Sequence, residues 1–278
     1  MDPLQEKLII FDYSGTLSLE ASLFARPDNL MKELEESGLK EFGIESPDIF
    51  WEQLVNPTWT EGSTTLVGYK KVLENHITAT LFPNASITLR ARIADAVSSF
   101  VDRYLDHSHI DYRWEPLLNK LNVNPSIKVL IATDHYGEAT DCIIKFLTEF
   151  QIHAAAAKHA FVNFNKSSVI VANSADIGFH KVDPRFWEAL KLYLDFEAIQ
   201  DIIIIDDFGY NEQIGDRYGE RKKVEVRKKN TVKMLESAFS AKVHVVPFMI
   251  EDNNLSQDDT YGEFITSVST MIEHYLAS

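Results

Sequence analysis

Carboxylate, hydroxyl and ammonium side chains stand at or just after the ends of separate apolar runs in this chain. Asp12 follows the first run, Thr133 ends the second, and Lys181 comes after the third. Asp206 and Asp207 end the fourth run as an adjacent acidic pair. A carboxylate can attack phosphorus and form an acyl phosphate, and magnesium prefers carboxylate and carbonyl oxygens as ligands. Lysine and hydroxyl groups can hold the non-bridging oxygens of a transferred phosphoryl group, so this set of residues suits phosphoryl transfer.

Five apolar runs rich in β-branched residues are predicted to be the strands of one sheet. They lack period-two alternation, which is typical of strands covered on both faces of a parallel sheet. Helical patterns separate the later runs, and one of them starts with Asp183 as its N-cap and Pro184 in its first turn. This alternation predicts an α/β protein whose core is a doubly wound, Rossmann-like parallel sheet. The predicted strands are 7–12, 127–133, 168–174, 201–207 and 242–248.

A long segment, 18–126, separates the first predicted strand from the second. It is far longer than one crossover connection requires, and it carries several helical patterns, such as 87–107. We interpret 18–126 as an inserted, mainly helical domain, and 1–17 with 127–278 as the α/β core.

Ligands bind beyond the carboxyl ends of the strands in open α/β sheets, so the side chains described above are expected to converge at that edge.

The order of these motifs resembles the haloacid dehalogenase (HAD) superfamily. D-x-x-G-T-L occupies 12–17, a threonine ends the second strand, K-x-D-P occupies 181–184, and an acidic pair ends the fourth strand. The resemblance covers about 1–17 and 127–250. Each motif is short, but the set is specific because each one lies at or after the end of an apolar strand and the order matches. The resemblance implies that the helical insert is a C1-type cap, which closes over the site and selects the substrate.

The resemblance implies a magnesium-dependent hydrolase that acts on a small phosphorylated metabolite. Asp12 would be the nucleophile, and Lys181 would neutralise both this carboxylate and the phosphate. Thr133 would hydrogen-bond the phosphoryl group, with Asp134 beside it as a further substrate-binding residue. The implied ligands of Mg²⁺ are Asp12, the backbone carbonyl of Ser14, Asp206 and Asp207.

Ser14 departs from the family pattern, because ordinary phosphatases of the family have a second aspartate at this position. That aspartate protonates the leaving alcohol and then activates water, and general acid–base catalysis of this kind typically contributes about 10²–10⁴-fold. Serine has no pKa near neutrality for these proton transfers. The chain could therefore be a slow phosphatase or one restricted to good leaving groups, an enzyme with a long-lived phospho-enzyme, or a catalytically impaired protein that binds a phosphorylated ligand.

Two other branches of the family also lack the second aspartate. A haloacid dehalogenase-type hydrolase needs no metal, whereas the adjacent Asp206 and Asp207 favour a metal site. Phosphonate hydrolases rely on a cap lysine that forms a Schiff base, and nothing local marks Lys70 or Lys71 for that role. His135 is an alternative acid–base group, because an unperturbed histidine titrates near neutrality.

Composition excludes several other classes of protein. The formal net charge of -15 argues against general nucleic-acid binding, which needs a basic surface. The absence of about 18 uninterrupted apolar residues predicts no membrane span, and the N-terminus lacks the pattern of a secretory signal. The single cysteine, Cys142, excludes an internal disulfide. We therefore expect a cytoplasmic protein.

Two features outside these motifs also carry predictions. The stretch 221–233 holds seven basic residues in an acidic chain. It is predicted to be a solvated, partly mobile insertion, and the alternative is a guide for an anionic substrate or a surface for a partner. Trp51, Trp59 and Trp114 are expected to pack within the cap, where any of them could line the substrate cavity.

Overall fold

The structure is a computed structural model, and it describes residues 6–159, 169–194, 199–213, 215–251 and 258–277. In this part of the chain, six strands form one parallel sheet. The strands are β1 (Glu6–Phe11), β2 (Ile127–Thr133), β3 (Ala154–Ala156), β4 (Val169–Asn173), β5 (Ile199–Asp206) and β6 (Lys242–Pro247). Their order across the sheet is β3-β4-β2-β1-β5-β6, and all neighbouring pairs are parallel. The predicted α/β fold with a Rossmann-like parallel sheet is confirmed.

Burial on both faces explains why the strands read as continuous apolar runs. All seven residues of β2 are buried. Along β1, Ile9 and Phe11 pack into one hydrophobic cluster, while Leu8 and Ile10 pack into another. Successive side chains of a strand point to opposite faces, so the two clusters lie on opposite faces of the sheet. Both faces are therefore covered, and few positions along the strand are left for polar residues. The short strand β3 was not predicted.

Helices cover both faces of the sheet and also form a separate layer near its carboxyl edge. Asp183 caps the helix Pro184–Leu194 as predicted, since its Oδ1 accepts the backbone N–H of Arg185 at 2.9 Å. The pattern at 87–107 is confirmed as one helix. A π-helical turn, Phe50–Val55, joins the helices Pro47–Ile49 and Asn56–Thr64. The helices are α1 (Leu19–Phe24), α2 (Pro27–Glu36), α3 (Pro47–Ile49), α4 (Asn56–Thr64), α5 (Tyr69–Thr80), α6 (Ile87–His107), α7 (Glu115–Asn122), α8 (Ala139–Glu149), α9 (Ser174–Ile177), α10 (Pro184–Leu194), α11 (Arg221–Phe239) and α12 (Asp258–Ala277).

The helices between β1 and β2 pack mainly on one another. Leu34, Leu73 and Val97 belong to a hydrophobic cluster of their own, apart from the two clusters that cover the sheet. Helix α7 differs, because its leucines pack into the cluster that contains Ile9. The division of the chain into 1–17 with 127–278 and 18–126 stays a prediction.

The basic stretch 221–233 corrects one expectation, because it forms the first turns of α11 and not a separate insertion. Val224, Thr231 and Leu235 are buried along this helix, while most of its lysines and arginines are exposed or half-buried. Lysine, arginine and glutamate have good intrinsic helix propensity, and the buried positions anchor one face to the sheet. The sequence pattern placed the start of the helix too late because charged residues obscure that narrow apolar face.

None of the described helices combines the length and the apolar character that a membrane span requires.

Candidate active site

The carboxyl ends of β1 and β5 bring a lysine and two aspartates into contact. Asp12 directly follows β1 and Asp206 ends β5, and these strands are neighbours in the sheet. The Nζ of Lys181 donates to Asp12 Oδ1 at 2.7 Å and to Asp206 Oδ2 at 2.8 Å. Lys181 is only 2% exposed, so its ammonium group is held in this network and shielded from solvent.

Asp134 and Trp187 fix the backbone of Lys181. Asp134 Oδ1 accepts the N–H of Lys181 at 2.8 Å, and the indole Nε1 of Trp187 donates to its carbonyl oxygen at 2.7 Å. The second oxygen of Asp134 lies 3.4 Å from the hydroxyl of Tyr218. The carboxylate of Asp134 therefore positions the lysine, and this contact was not foreseen from the sequence.

Three buried carboxylates form a set that could hold a metal ion. Oxygens of Asp12, Asp206 and Asp207 all lie within 4.8 Å of one another. With Lys181 as the paired cation, ionisation of all three leaves two uncompensated negative charges. Burial raises the pKa of Asp12 well above its ordinary value, and it raises the pKa of Asp207 to about 8. An oxygen-lined cluster with this charge fits a divalent cation such as Mg²⁺, which would favour the ionised carboxylates.

A tight turn after β1 holds the acidic pair in place. Gly15 has a φ of 72°, and Asn211 Nδ2 donates to its carbonyl oxygen at 2.6 Å. The backbone N–H of Asp207 donates to Thr16 Oγ1 at 3.2 Å. Asp207 Oδ2 accepts the N–H of Asn211 at 2.7 Å. The turns after the two strands are thus joined by hydrogen bonds, so the carboxylates have a fixed spacing.

Ser14 lies in the same turn and contacts a glutamate that the sequence motifs did not mark. Its Oγ donates to Glu212 Oε1 at 2.8 Å, and Ser22 Oγ donates to Glu212 Oε2 at 3.4 Å. Burial and the nearby Asp216 raise the pKa of Glu212 to about 7. Glu212 comes from the loop after β5, so only the folded chain brings it beside Ser14.

The cluster opens into a cavity of about 80 Å³, several times the space that one water molecule needs. The predicted site residues Thr133 and Asp134 line it, and so do Trp51 and Trp59. Trp114 does not, because it packs against Phe11 in the hydrophobic cluster that covers the sheet. The expectation that Trp114 packs within the cap is therefore corrected. The full lining is Asp12, Ser14, Ala21, Phe24, Ala25, Leu30, Phe50, Trp51, Val55, Trp59, Tyr69, Phe100, Tyr104, Thr133, Asp134, His135, Tyr136, Glu212, Asp216 and Tyr218.

His135 lines the cavity as a neutral ring. Its Nδ1 accepts the N–H of Tyr136 at 2.8 Å, and its Nε2 lies 2.9 Å from the hydroxyl oxygen of Tyr104. With Nδ1 as acceptor, the proton of the neutral ring is assigned to Nε2, which then donates to Tyr104. Burial lowers the pKa of His135 to about 4. These contacts favour a structural role for His135 over acid–base chemistry near neutral pH.

The fold and the site together define an α/β protein with a Rossmann-like parallel sheet and a buried acidic cluster at its carboxyl edge. No protein-family model matches the chain, and no curated protein matches it. Among solved structures, the chain is similar to a phosphonoacetaldehyde hydrolase-like protein from Oleispira antarctica, with 14% sequence identity and a TM-score of 0.40. The similarity covers 96% of this chain and 95% of that one. A similarity at this level carries no information on substrate or mechanism.

Proposed function

We propose that the chain is a HAD-like hydrolase, and specifically a magnesium-dependent phosphatase or phosphotransferase for a small phosphorylated metabolite. The observation that carries this proposal is the contact of Lys181 with both Asp12 and Asp206 beside a cavity that Asp12 lines. Phosphoryl transfer through an acyl phosphate can use a carboxylate nucleophile, a fixed ammonium group and a further carboxylate that holds a cation.

In the first step, a carboxylate oxygen of Asp12 attacks the phosphorus atom, and the bond from phosphorus to the ester oxygen breaks. The leaving oxygen takes the electron pair and acquires a proton from water. In the second step, water attacks the same phosphorus atom and the bond between Asp12 and phosphorus breaks. The carboxylate is restored, inorganic phosphate is released, and the proton lost by the attacking water passes to solvent. An acceptor alcohol in place of water would make the reaction a phosphotransfer.

Each polar group beside Asp12 has a defined part in this proposal. The ammonium of Lys181 would hold one oxygen of Asp12 and offset negative charge on the phosphoryl group. Thr133 lines the cavity and would donate its hydroxyl proton to a phosphoryl oxygen. Asp12, Asp206, Asp207 and the carbonyl of Ser14 would hold Mg²⁺, which when bound neutralises charge on the phosphoryl oxygens.

The lysines at 70 and 71 do not favour phosphonate hydrolysis through a Schiff base. Lys70 pairs with Asp102 at 2.5 Å and Lys71 pairs with Glu74 at 3.0 Å, both outside the residues that line the cavity. An amine that attacks a carbonyl group in the cavity would have to lie at its wall. The residues that do line the cavity favour phosphate ester chemistry at Asp12.

Ser14 favours a second candidate, a protein that binds a phosphorylated ligand and turns it over poorly. The Ser14 hydroxyl donates to Glu212 and has no acidic proton for a leaving alcohol. The same pocket would then serve recognition, and the reaction would be slow for esters whose alcohol is a poor leaving group.

The test is hydrolysis of 4-nitrophenyl phosphate with and without Mg²⁺, because nitrophenolate leaves without protonation. We expect turnover that needs Mg²⁺, and a fall of about 10³-fold or more in Asp12→Asn, since the nucleophile is lost. Asp28→Asn, which changes an exposed aspartate of α2, is the matched control and should keep the wild-type rate.

Two results would argue against the phosphatase. Equal rates of hydrolysis in wild type and Asp12→Asn would show that Asp12 is not the nucleophile. A folded wild-type protein with no turnover, but with a melting temperature raised by Mg²⁺ and inorganic phosphate, would support the binding protein instead.

A further inference from the structure

We infer that the substrate, in addition to the phosphate that the proposed function requires, carries an ammonium group that sits between aromatic rings and the carboxylate of Glu212. The inference rests on the proposed function for the position of the phosphate. It adds the chemical class of the remainder of the substrate, which is a compact aminoalkyl or trimethylammonioalkyl phosphate.

The cavity lining contains acidic side chains and no strongly basic ones. The carboxylic acids in the lining are Asp12, Asp134, Glu212 and Asp216, and the described lining contains no lysine or arginine. Lys181 lies beneath the cavity and is occupied by Asp12 and Asp206. A phosphate at Asp12 would be offset by this lysine and the cation. The rest of the cavity therefore presents negative charge to a ligand.

Among these carboxylates, Glu212 has the fewest positively charged groups to offset its negative charge. Both of its oxygens accept hydrogen bonds from neutral hydroxyl groups, those of Ser14 and Ser22. Among the described residues, no lysine or arginine forms a salt bridge with Glu212. Glu212 is half-buried. A carboxylate that has lost part of its water and has no paired cation is costly, so a ligand with positive charge would gain from binding beside it.

Asp216 contributes less, because it also borders a neighbouring surface pocket that Lys223 and Arg227 line. Both of these cations are engaged with other oxygens. Lys223 Nζ donates to Glu220 Oε1 at 2.8 Å, and the Arg227 guanidinium donates to the carbonyl oxygens of Phe208 and Tyr218. Their positive charge offsets part of the negative charge at Asp216, so Glu212 is the main anionic group at this end of the cavity.

Aromatic rings form the other walls of the cavity. Aromatic faces attract cations, and cages of such rings bind quaternary ammonium groups. Tyr136 stacks on Tyr69 with ring centroids 3.7 Å apart, and Trp59 packs edge to face against Tyr136 at 5.4 Å. The rings in the lining are Phe24, Phe50, Trp51, Trp59, Tyr69, Phe100, Tyr104, Tyr136 and Tyr218.

The size of the cavity also constrains the ligand. Its volume of about 80 Å³ suits a compact molecule.

The experiment compares three phosphate esters that differ in charge. Choline phosphate and ethanolamine phosphate carry an ammonium group, and 3,3-dimethylbutyl phosphate has the shape of choline phosphate without its charge. We expect kcat/KM for at least one cationic ester to exceed that of the neutral ester by about tenfold or more. The order of the two cationic esters tells whether the group is quaternary or primary. Equal or faster hydrolysis of the neutral ester would overturn the inference.

A variant tests the part assigned to Glu212. Glu212→Gln keeps an oxygen that can accept from Ser14 but removes the charge, so the ratio of kcat/KM between choline phosphate and the neutral ester should fall. Glu149→Gln, on the exposed face of α8, should leave this ratio unchanged. An unchanged ratio in Glu212→Gln would contradict the role of Glu212.

Failure of the inference and failure of the proposed function give different results. Hydrolysis of 4-nitrophenyl phosphate without any preference for cationic esters leaves the phosphatase intact and removes the ammonium site. If no ester is hydrolysed, the ammonium site can still be tested by binding. Calorimetry measures the affinity of the protein for tetramethylammonium and for tert-butanol. Tighter binding of tetramethylammonium would support the cationic site, and equal or no binding of both would overturn it.

Discussion

The hydrogen bond from Ser14 to Glu212 changes what an aspartate at position 14 would do. The Ser14 hydroxyl lies 2.8 Å from Glu212 Oε1. A carboxylate placed there would stand directly against the half-buried carboxylate of Glu212, and two like charges at this distance cannot both ionise without a large cost. An aspartate at position 14 would therefore need a change at Glu212 as well before it could act as an acid–base group.

We predict that Ser14→Asp alone gives little gain in the hydrolysis of 3,3-dimethylbutyl phosphate, a neutral ester with a poor leaving group. Ser14→Asp combined with Glu212→Gln should raise kcat by about tenfold or more, because general acid–base help is typically worth about 10²–10⁴-fold. Steady-state rates of both variants and of Glu212→Gln alone provide the comparison. A single variant as fast as the double variant would show that Glu212 does not limit an acid at position 14.

At the scale of the element, the turn after β1 depends on one glycine for two reasons. Gly15 has a left-handed φ of 72°, and a Cβ atom there would stand 2.7 Å from Asp207 Oδ2. Gly43 has a similar φ of 86° but nothing within 4 Å of its Cβ position. A substitution at Gly43 therefore measures the cost of the left-handed backbone alone. A substitution at Gly15 measures that cost together with the cost of crowding Asp207.

We predict that Gly15→Ala destabilises the protein more than Gly43→Ala and also weakens Mg²⁺ binding. Gly43→Ala should cost about 1 kcal/mol, the usual strain of a left-handed residue. Gly15→Ala adds the displacement of the Asp207 carboxylate. Urea unfolding and Mg²⁺ titration of both variants measure the two effects. Equal stability and equal Mg²⁺ affinity in the two variants would show that Asp207 moves aside without cost.

At the scale of the whole molecule, the buried acids make the stability depend on pH. Burial raises the pKa of Asp207 to about 8 and that of Glu212 to about 7, and their ordinary values are 3.8 and 4.5. The folded protein therefore binds more protons than the unfolded chain between these values. Stability from these groups is fully present below their ordinary pKa values and is lost as pH rises through the raised ones.

We predict that the metal-free protein melts at a lower temperature at pH 8.5 than at pH 5.5. Each group lowers the free energy of unfolding by at most about 1.4 kcal/mol per pH unit across its window. Mg²⁺ favours the ionised carboxylates, so it should raise the melting temperature more at pH 8.5. Melting curves in EDTA and in Mg²⁺ measure both effects, and Glu212→Gln should reduce the slope in EDTA. A melting temperature in EDTA that rises over this range would contradict the prediction.

Much of the fold could be predicted from local patterns. Five of the six described strands coincide with apolar runs, because a strand covered on both faces needs an apolar residue at nearly every position. The exception, β3, is three alanines that pair with β4, with Ala155 opposite Ile170. Alanine has no strong preference for strands, so its conformation comes from the neighbouring strand and not from its own sequence.

The sequence by itself determined which polar residues lie at the carboxyl edge. Asp12, Asp206 and Asp207 are fixed there because each stands at or directly after the end of a strand, and parallel strands end at the same edge. Only the tertiary structure decided that Lys181 also contacts Asp206 and that Glu212 lies against Ser14. These contacts join loops that are far apart in the chain, and their geometry depends on how the helices pack above the sheet. A local sequence pattern indicates which residues of its own segment are buried. It does not give the distances between side chains of different loops.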